Sequence, residues 1–183
     1  MRIIAGLAKG RRIAGPPGLV TRPLPDRVRE ALFSSLGDVS GVRVLDLYAG
    51  SGSIGLEALS RGAASVVFVE KSRSVTKTLH KNVDVVGLGG DVVVADVAGF
   101  LTRDSGTYDL VFVDPPYSTE LPSVEAELAS LVRLLEPGAT VVVHRRYGGA
   151  EPDAGGLKLT DRRRYGDTEL FRFEAGSKEE DTR

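Results

Sequence analysis

Polar and apolar positions along this chain change period several times, and each change marks an element. Residues 2–14 are short apolar pieces separated by Gly6 and Gly10, which predicts a small hairpin. From Asp26 the apolar positions Val28, Ala31, Leu32 and Leu36 recur at helical spacing, with Asp26 placed to cap the helix and Gly37 to stop it. The pattern then alternates. It predicts a strand over 42–47, a helix over 53–61 closed by Gly62, a strand over 65–70 and a helix over 72–86 closed by Gly87. A strand over 92–95, a short helix over 97–102 and a strand over 110–113 follow. Next come a helix over 121–135, ended by Pro137-Gly138, and a strand over 140–144.

Five apolar, β-branched strands with helices between them require a parallel sheet covered on both faces, because parallel neighbours need crossover connections. The fold class expected is therefore a doubly wound α/β core. Residues 157–163 and 168–173 flank Tyr165-Gly166-Asp167 without a helix between them, so they read as an antiparallel hairpin. Residues 1–25 form an arm, 26–174 the main domain, and 175–183, with Lys178-Glu179-Glu180-Asp181, a polar tail expected to be disordered.

At 183 residues, 42% hydrophobic and 27% charged, the chain has material for one core. Its longest apolar runs fall far short of a bilayer span, and its first residues lack the apolar segment of a secretory signal, which predicts a cytoplasmic protein. The absence of cysteine excludes disulfides, thiolate zinc sites and a cysteine nucleophile, and with only His80 and His144 no metal site is expected. Net charge is −1, but residues 1–30 hold seven cations against Asp26 and Glu30, so this segment is strongly basic and the remainder acidic. Either a solvated terminus or a nucleic-acid contact fits that imbalance.

Candidate chemistry begins at Asp46-Leu47-Tyr48-Ala49-Gly50-Ser51-Gly52-Ser53-Ile54-Gly55, between the first sheet strand and its helix. Gly50, Gly52 and Gly55 satisfy G-x-G-x-x-G, where backbone approaches a ligand at a helix N-terminus. A pyrophosphate there would be repelled by Asp46, whereas the ammonium of an amino-acid moiety would be attracted, which favours S-adenosylmethionine over a nicotinamide dinucleotide. Asp46 as an Asx turn or cap is the bland alternative. Glu70, beside Lys71, ends the second strand and can accept from ribose hydroxyls; Asp96, beside Val97, ends the third and can accept from an adenine amine. Tyr48, Ala49 and Ser51 complete the expected cofactor contacts.

Asp114-Pro115-Pro116-Tyr117 follows the fourth strand. An exocyclic base amine is a poor nucleophile because its lone pair is delocalised, so acceptors must be held against its hydrogens. Asp114 and the Pro115 carbonyl are two such acceptors, Pro116 stiffens the turn, and Tyr117 offers a face for the base to stack on. A strand-terminating turn is the bland reading of the same residues.

Taken together, these motifs resemble the RsmD family of bacterial 16S ribosomal RNA guanine-N2 methyltransferases. The resemblance rests on Arg2-Ile3-Ile4-Ala5-Gly6 with Gly10-Arg11-Arg12, Thr21-Arg22-Pro23 running into Asp26-Arg27-Val28-Arg29-Glu30, the loop with Glu57-Ala58-Leu59, residues 114–117, and Tyr165-Gly166-Asp167-Thr168. It implies a class I S-adenosylmethionine-dependent methyltransferase, Rossmann-like, with a seven-stranded, mostly parallel sheet completed by the C-terminal hairpin. The activity implied is methylation of a guanine at N2 in the rRNA of the assembling small subunit, by an enzyme acting as a monomer without membrane or metal. Arg2, Arg11, Arg12, Arg22, Asp26, Arg27 and Arg29 would then contact RNA or orient a flipped guanine; Arg162-Arg163-Arg164 either extend that patch or form a solvated strand face. Two departures stand out: Leu24-Pro25 where the family often has two threonines, and Val143-His144-Arg145 where a glutamate often ends the fifth strand. Adenine-N6 methylation of RNA or DNA and a non-catalytic nucleotide-binding module are the rival functions.

Overall fold

The computed structural model describes residues 1–15 and 24–176, so Arg22 and most of the expected polar tail lie outside the described residues. In chain order the elements are α1 (Asp26–Leu36), β1 (Arg43–Leu47), α2 (Ser53–Ser60), β2 (Ser65–Glu70), α3 (Arg73–Val86), β3 (Asp91–Val94) and α4 (Val97–Arg103). These are followed by β4 (Tyr108–Val113), α5 (Leu121–Leu131), a 3₁₀ turn at Val132–Leu134, β5 (Leu135–Arg146), β6 (Lys158–Tyr165) and β7 (Thr168–Glu174).

The strands form one seven-stranded sheet in the order β3-β2-β1-β4-β5-β7-β6. β1 to β5 are parallel, and β7 runs antiparallel between β5 and β6, as the helix-free end of the sequence predicts. Strand order reverses direction between β1 and β4. At such a switch point the connecting loops diverge to opposite faces and leave a crevice at the carboxyl ends of the strands. One face of the sheet buries Phe33, Leu56, Phe68, Leu79 and Phe112; the other buries Leu45, Val111, Leu128, Val141 and Phe171.

Two expectations are corrected. α1 is capped by Pro25, whose carbonyl accepts from the Val28 and Arg29 amides, while Asp26 is the first helical residue and pairs with Arg29. Pro137-Gly138 does not end a helix. The helix stops in the 3₁₀ turn, and the pair lies inside β5, where the register jumps from Tyr108↔Leu135 to Leu110↔Thr140. A proline without an amide, and a glycine at φ 77°, are tolerated there because the strand bulges away from its partner.

The small N-terminal hairpin is present: Arg2 and Arg12 pair antiparallel, Ile3 N–H donates to Arg11 O, Gly10 N–H to Ile3 O and Ile13 N–H to Met1 O. Residues 1–15 are in addition stapled to the helices. Buried Glu57 of α2 accepts from the Ile4 (2.7 Å) and Ala5 (3.0 Å) amides, and the Ser60 hydroxyl accepts from Ala8 N–H. Gly6, at φ 81°, lies so close to the Ser60 carbonyl that a Cβ would overlap it. Ile3, Ala8 and Ile13 thereby join the core.

Candidate active site

Asp46 faces the phenylalanine side of the sheet, in register with Phe68 on β2 and Phe112 on β4. Only 1% of it is exposed, and its Oδ2 accepts from the Gly55 amide at 3.0 Å, which ties the end of β1 to the first turn of α2. Burial pushes this carboxyl up to about 8, and the neighbouring Asp114 and Glu70 charges push the same way against the Gly55 hydrogen bond. Gly55 is needed for this approach, since a Cβ there would stand 2.9 Å from Asp46 Oδ2 and overlap Phe68.

Above it the loop is held by its own chain. Ala49 N–H donates to Val69 O, Gly50 N–H to Glu70 Oε2 (3.1 Å), Gly52 N–H to Ala49 O and Gly55 N–H to Asp46. Four amides of the glycine loop are thus already engaged and do not form a nest for a pyrophosphate, while acidic side chains rim the crevice. Gly50 turns at φ 57°, with only the Tyr48 carbonyl oxygen, at 3.8 Å, near where a side chain would begin, and Gly52 caps α2 in the left-handed region. Ser51 is buried; its carbonyl accepts from Asn82 Nδ2.

Tyr48 is the one non-glycine residue at positive φ among the described residues (61°). Its hydroxyl donates to Glu127 of α5, with both carboxylate oxygens at 2.7 Å. Burial raises both groups above their ordinary values; Asp96 adds to the rise of Glu127 and Lys71 opposes it. Tyr48, Lys71, Asp96 and Glu127 therefore gather at one end of the crevice. Glu70 Oε1 also accepts from Ser72 N–H, and exposed Asp96 caps α4 through Gly99 N–H (2.7 Å), with Val97 buried beneath.

Asp114 N–H donates to Leu47 O at 3.4 Å, so the tetrapeptide begins directly beside the end of β1. Pro116 O accepts from Thr119 N–H in a turn, whereas no N–H among the described residues reaches Pro115 O. His144, at the end of the neighbouring β5, joins the group. Its Nδ1 bonds Asp114 Oδ1, its Nε2 meets the Tyr117 hydroxyl at 3.2 Å, and the two rings stand edge to face at 73°. Tyr117 remains half exposed. Glu127 and His144 were not marked as site residues by the sequence: Glu127 sits mid-helix, and His144 carried only the signal of a polar residue at a strand end.

The arm is less available than its charge suggests. Arg29 is fully buried, pairs with Asp26 (3.0 Å) and Glu57 (3.9 Å), and donates to Arg2 O, so its expected RNA contact is replaced by a structural one. Arg11 donates to Val85 O and Val86 O at the end of α3, and Arg2 lies 3.6 Å from Asp26. Arg12 and Arg27 are exposed.

Strand order, antiparallel C-terminal strands and an acid-rimmed crevice at the β1/β4 switch define a class I methyltransferase fold. The solved structure of the candidate methyltransferase yhhF of Escherichia coli superimposes with a TM-score of 0.85 at 33% identity, covering 97% of this chain and 99% of its own. A hypothetical protein of Thermus thermophilus gives 0.84 at 35%, covering 96% and 99%. Residues 1–174 match the family described as conserved hypothetical protein 95. A curated relative, the ribosomal RNA small subunit methyltransferase D of Escherichia coli K12, is 40% identical over 138 residues, 74% of this chain and 67% of its own length. The chain belongs to this family, the RsmD family of rRNA methyltransferases.

Proposed function

We propose that this chain transfers a methyl group from S-adenosylmethionine to the exocyclic N2 of a guanine in the 16S rRNA of the assembling small ribosomal subunit, in the cytoplasm. The supporting observation is positional: the Asp114 amide bonds the Leu47 carbonyl, which sets the acceptor tetrapeptide at the mouth of the crevice over the glycine loop. The donor set fits the cofactor: Glu70 and Asp96 keep acceptor capacity for hydroxyls and an amine, buried Asp46 is a carboxyl whose charged form a nearby cationic amino-acid moiety would favour, and Gly50 is open to close approach. S-adenosylmethionine supplies a methyl group already activated on a sulfonium, so the chain's task is alignment.

His144 donates through Nδ1 to Asp114 Oδ1, which leaves Oδ2 for the guanine amine; its Nε2 accepts the Tyr117 hydroxyl and sets that ring. As the nitrogen gains the methyl group it sheds a proton, for which Asp114 Oδ2, left free by His144, is the acceptor. Arg12 and Arg27 take RNA phosphates.

The test uses small subunits lacking the modification, incubated with labelled S-adenosylmethionine, followed by nucleoside analysis. N2-methylguanosine is expected, and Asp114→Ala is expected to lower its formation by about 10²-fold or more, the lower range of a positioned proton acceptor. Methyladenosine would reject the guanine assignment, and no incorporation by the wild-type chain would reject the activity.

A further inference from the structure

Beside Tyr117 lies a cleft of about 280 Å³, lined mainly by residues that the methyl-transfer geometry does not use. Tyr117 and Leu121 form one wall; Arg145, Arg146 and Tyr147 at the end of β5 form the other, with Gly148-Gly149 as its floor. The volume lies just below the range of small-ligand sites and admits one flat ring rather than a folded segment.

Its charge is uncompensated. Arg162 and Arg163 on the adjoining β6 are paired with Glu169, Glu151 and Asp161. Arg145, Arg146 and Arg164 form no ion pair among the described residues, and no carboxylate lines the cleft. Arg145 donates through one Nη to Thr119 O (3.0 Å) and leaves the other Nη buried without an acceptor. Its charge also reaches Tyr48 in the glycine loop.

The aromatic wall is fixed in advance. The Arg164 guanidinium stacks on one face of Tyr147, 3.5 Å from the ring centroid. Tyr147 N–H is tied to Asp167 O at 2.8 Å. Tyr147 is nevertheless 44% exposed and Tyr117 51%. Two exposed, braced tyrosines beside unpaired arginines match the chemistry of single-stranded nucleic acid, whose bases stack on rings and whose phosphates need cations.

We propose that this cleft is a subsite for one unpaired RNA nucleotide flanking the target guanine, its base against Tyr147 and its phosphate on Arg145 and Arg146; this rests on the rRNA methyltransferase reading above. The RNA then crosses the β5–β6 side of the crevice and not the N-terminal arm alone.

Tyr147→Ala, Tyr147→Trp and Arg146→Gln are compared with the wild-type chain for methylation of deproteinised 16S rRNA and of small subunits. S-adenosylhomocysteine affinity, by calorimetry, serves as the control for folding. Tyr147→Ala is expected to raise KM for RNA at least about fivefold, the low end of one base–ring stack, with kcat and S-adenosylhomocysteine affinity unchanged, and Tyr147→Trp to restore it. Arg146→Gln is expected to lower the log-log salt slope of RNA binding by about 0.7. Unchanged KM in both Tyr147→Ala and Arg146→Gln would overturn the proposal, as would a defect confined to intact subunits, which would make the occupant a ribosomal protein. Failure of the underlying activity reads differently, as absence of methyl incorporation by the wild-type chain.

Discussion

Asp46 stands between two phenylalanines, Phe68 and Phe112, in its row of the sheet, and that apolar setting changes its protonation. Its folded value near 8 exceeds the unfolded 3.8, so between about pH 4 and 8 the folded chain keeps a proton that the unfolded chain has released. Stability should fall as pH rises through that window and level off above about 8. Thermal midpoints measured from pH 5 to 9 check this, and Asp46→Asn should flatten this component of the profile. His144 gives a second expectation at this scale. His144→Ala frees both Asp114 and Tyr117, so kcat should fall by about 10²-fold, the cost of about 1 Å of misplacement, while S-adenosylhomocysteine affinity stays within twofold. Single-turnover rates beside calorimetry separate the two. Sequence alone could mark Asp46, Glu70, Asp96 and Asp114, because each stands at or just past the carboxyl end of an apolar strand. It could not pair Asp114 with His144 or Tyr48 with Glu127, since those partners lie 30 and 79 residues apart and nothing local records their meeting.

Among the elements, α2 explains most of what was legible and what was not. Its glycine-rich start and its boundaries follow from local pattern, yet every residue from Ser53 to Ser60 is buried, including Glu57 and Ser60. Those polar positions accept hydrogen bonds from the N-terminal segment laid across them. The hairpin of residues 1–15 was legible from its own sequence, but the acceptors its Ile4, Ala5 and Ala8 amides find on α2 were not. Gly6→Ala therefore should break the staple at its tightest point, with a loss of about 2 kcal/mol or more in urea unfolding, whereas Gly10→Ala, with no atom within 4 Å of the added carbon, should cost only the strain of its positive φ, about 1 kcal/mol. Pro137-Gly138 misled for a related reason. A helix stop and a strand bulge use the same two residues, and only the pairing with β4 distinguishes them.

For the whole molecule, a net charge of −1 conceals a divided surface. The exposed cations of the arm and the unpaired arginines at the end of β5 together can neutralise about five phosphates, which sets the log-log salt slope of RNA binding near −3.5 to −4.5 depending on strandedness. Anisotropy titrations of labelled 16S fragments across salt concentrations measure it, and a slope near zero would remove surface charge from recognition.

Asn82 carries the last consequence. Its side-chain amide donates to both Ala14 O and Ser51 O and accepts from Ala14 N–H, so one buried group grips the end of the N-terminal segment and the glycine loop at once. Two regions sharing a single clasp open together. Deuterium uptake at residues 3–14 and 49–52 should rise in step as the chain is warmed, and Asn82→Ala should let the two exchange at separate rates.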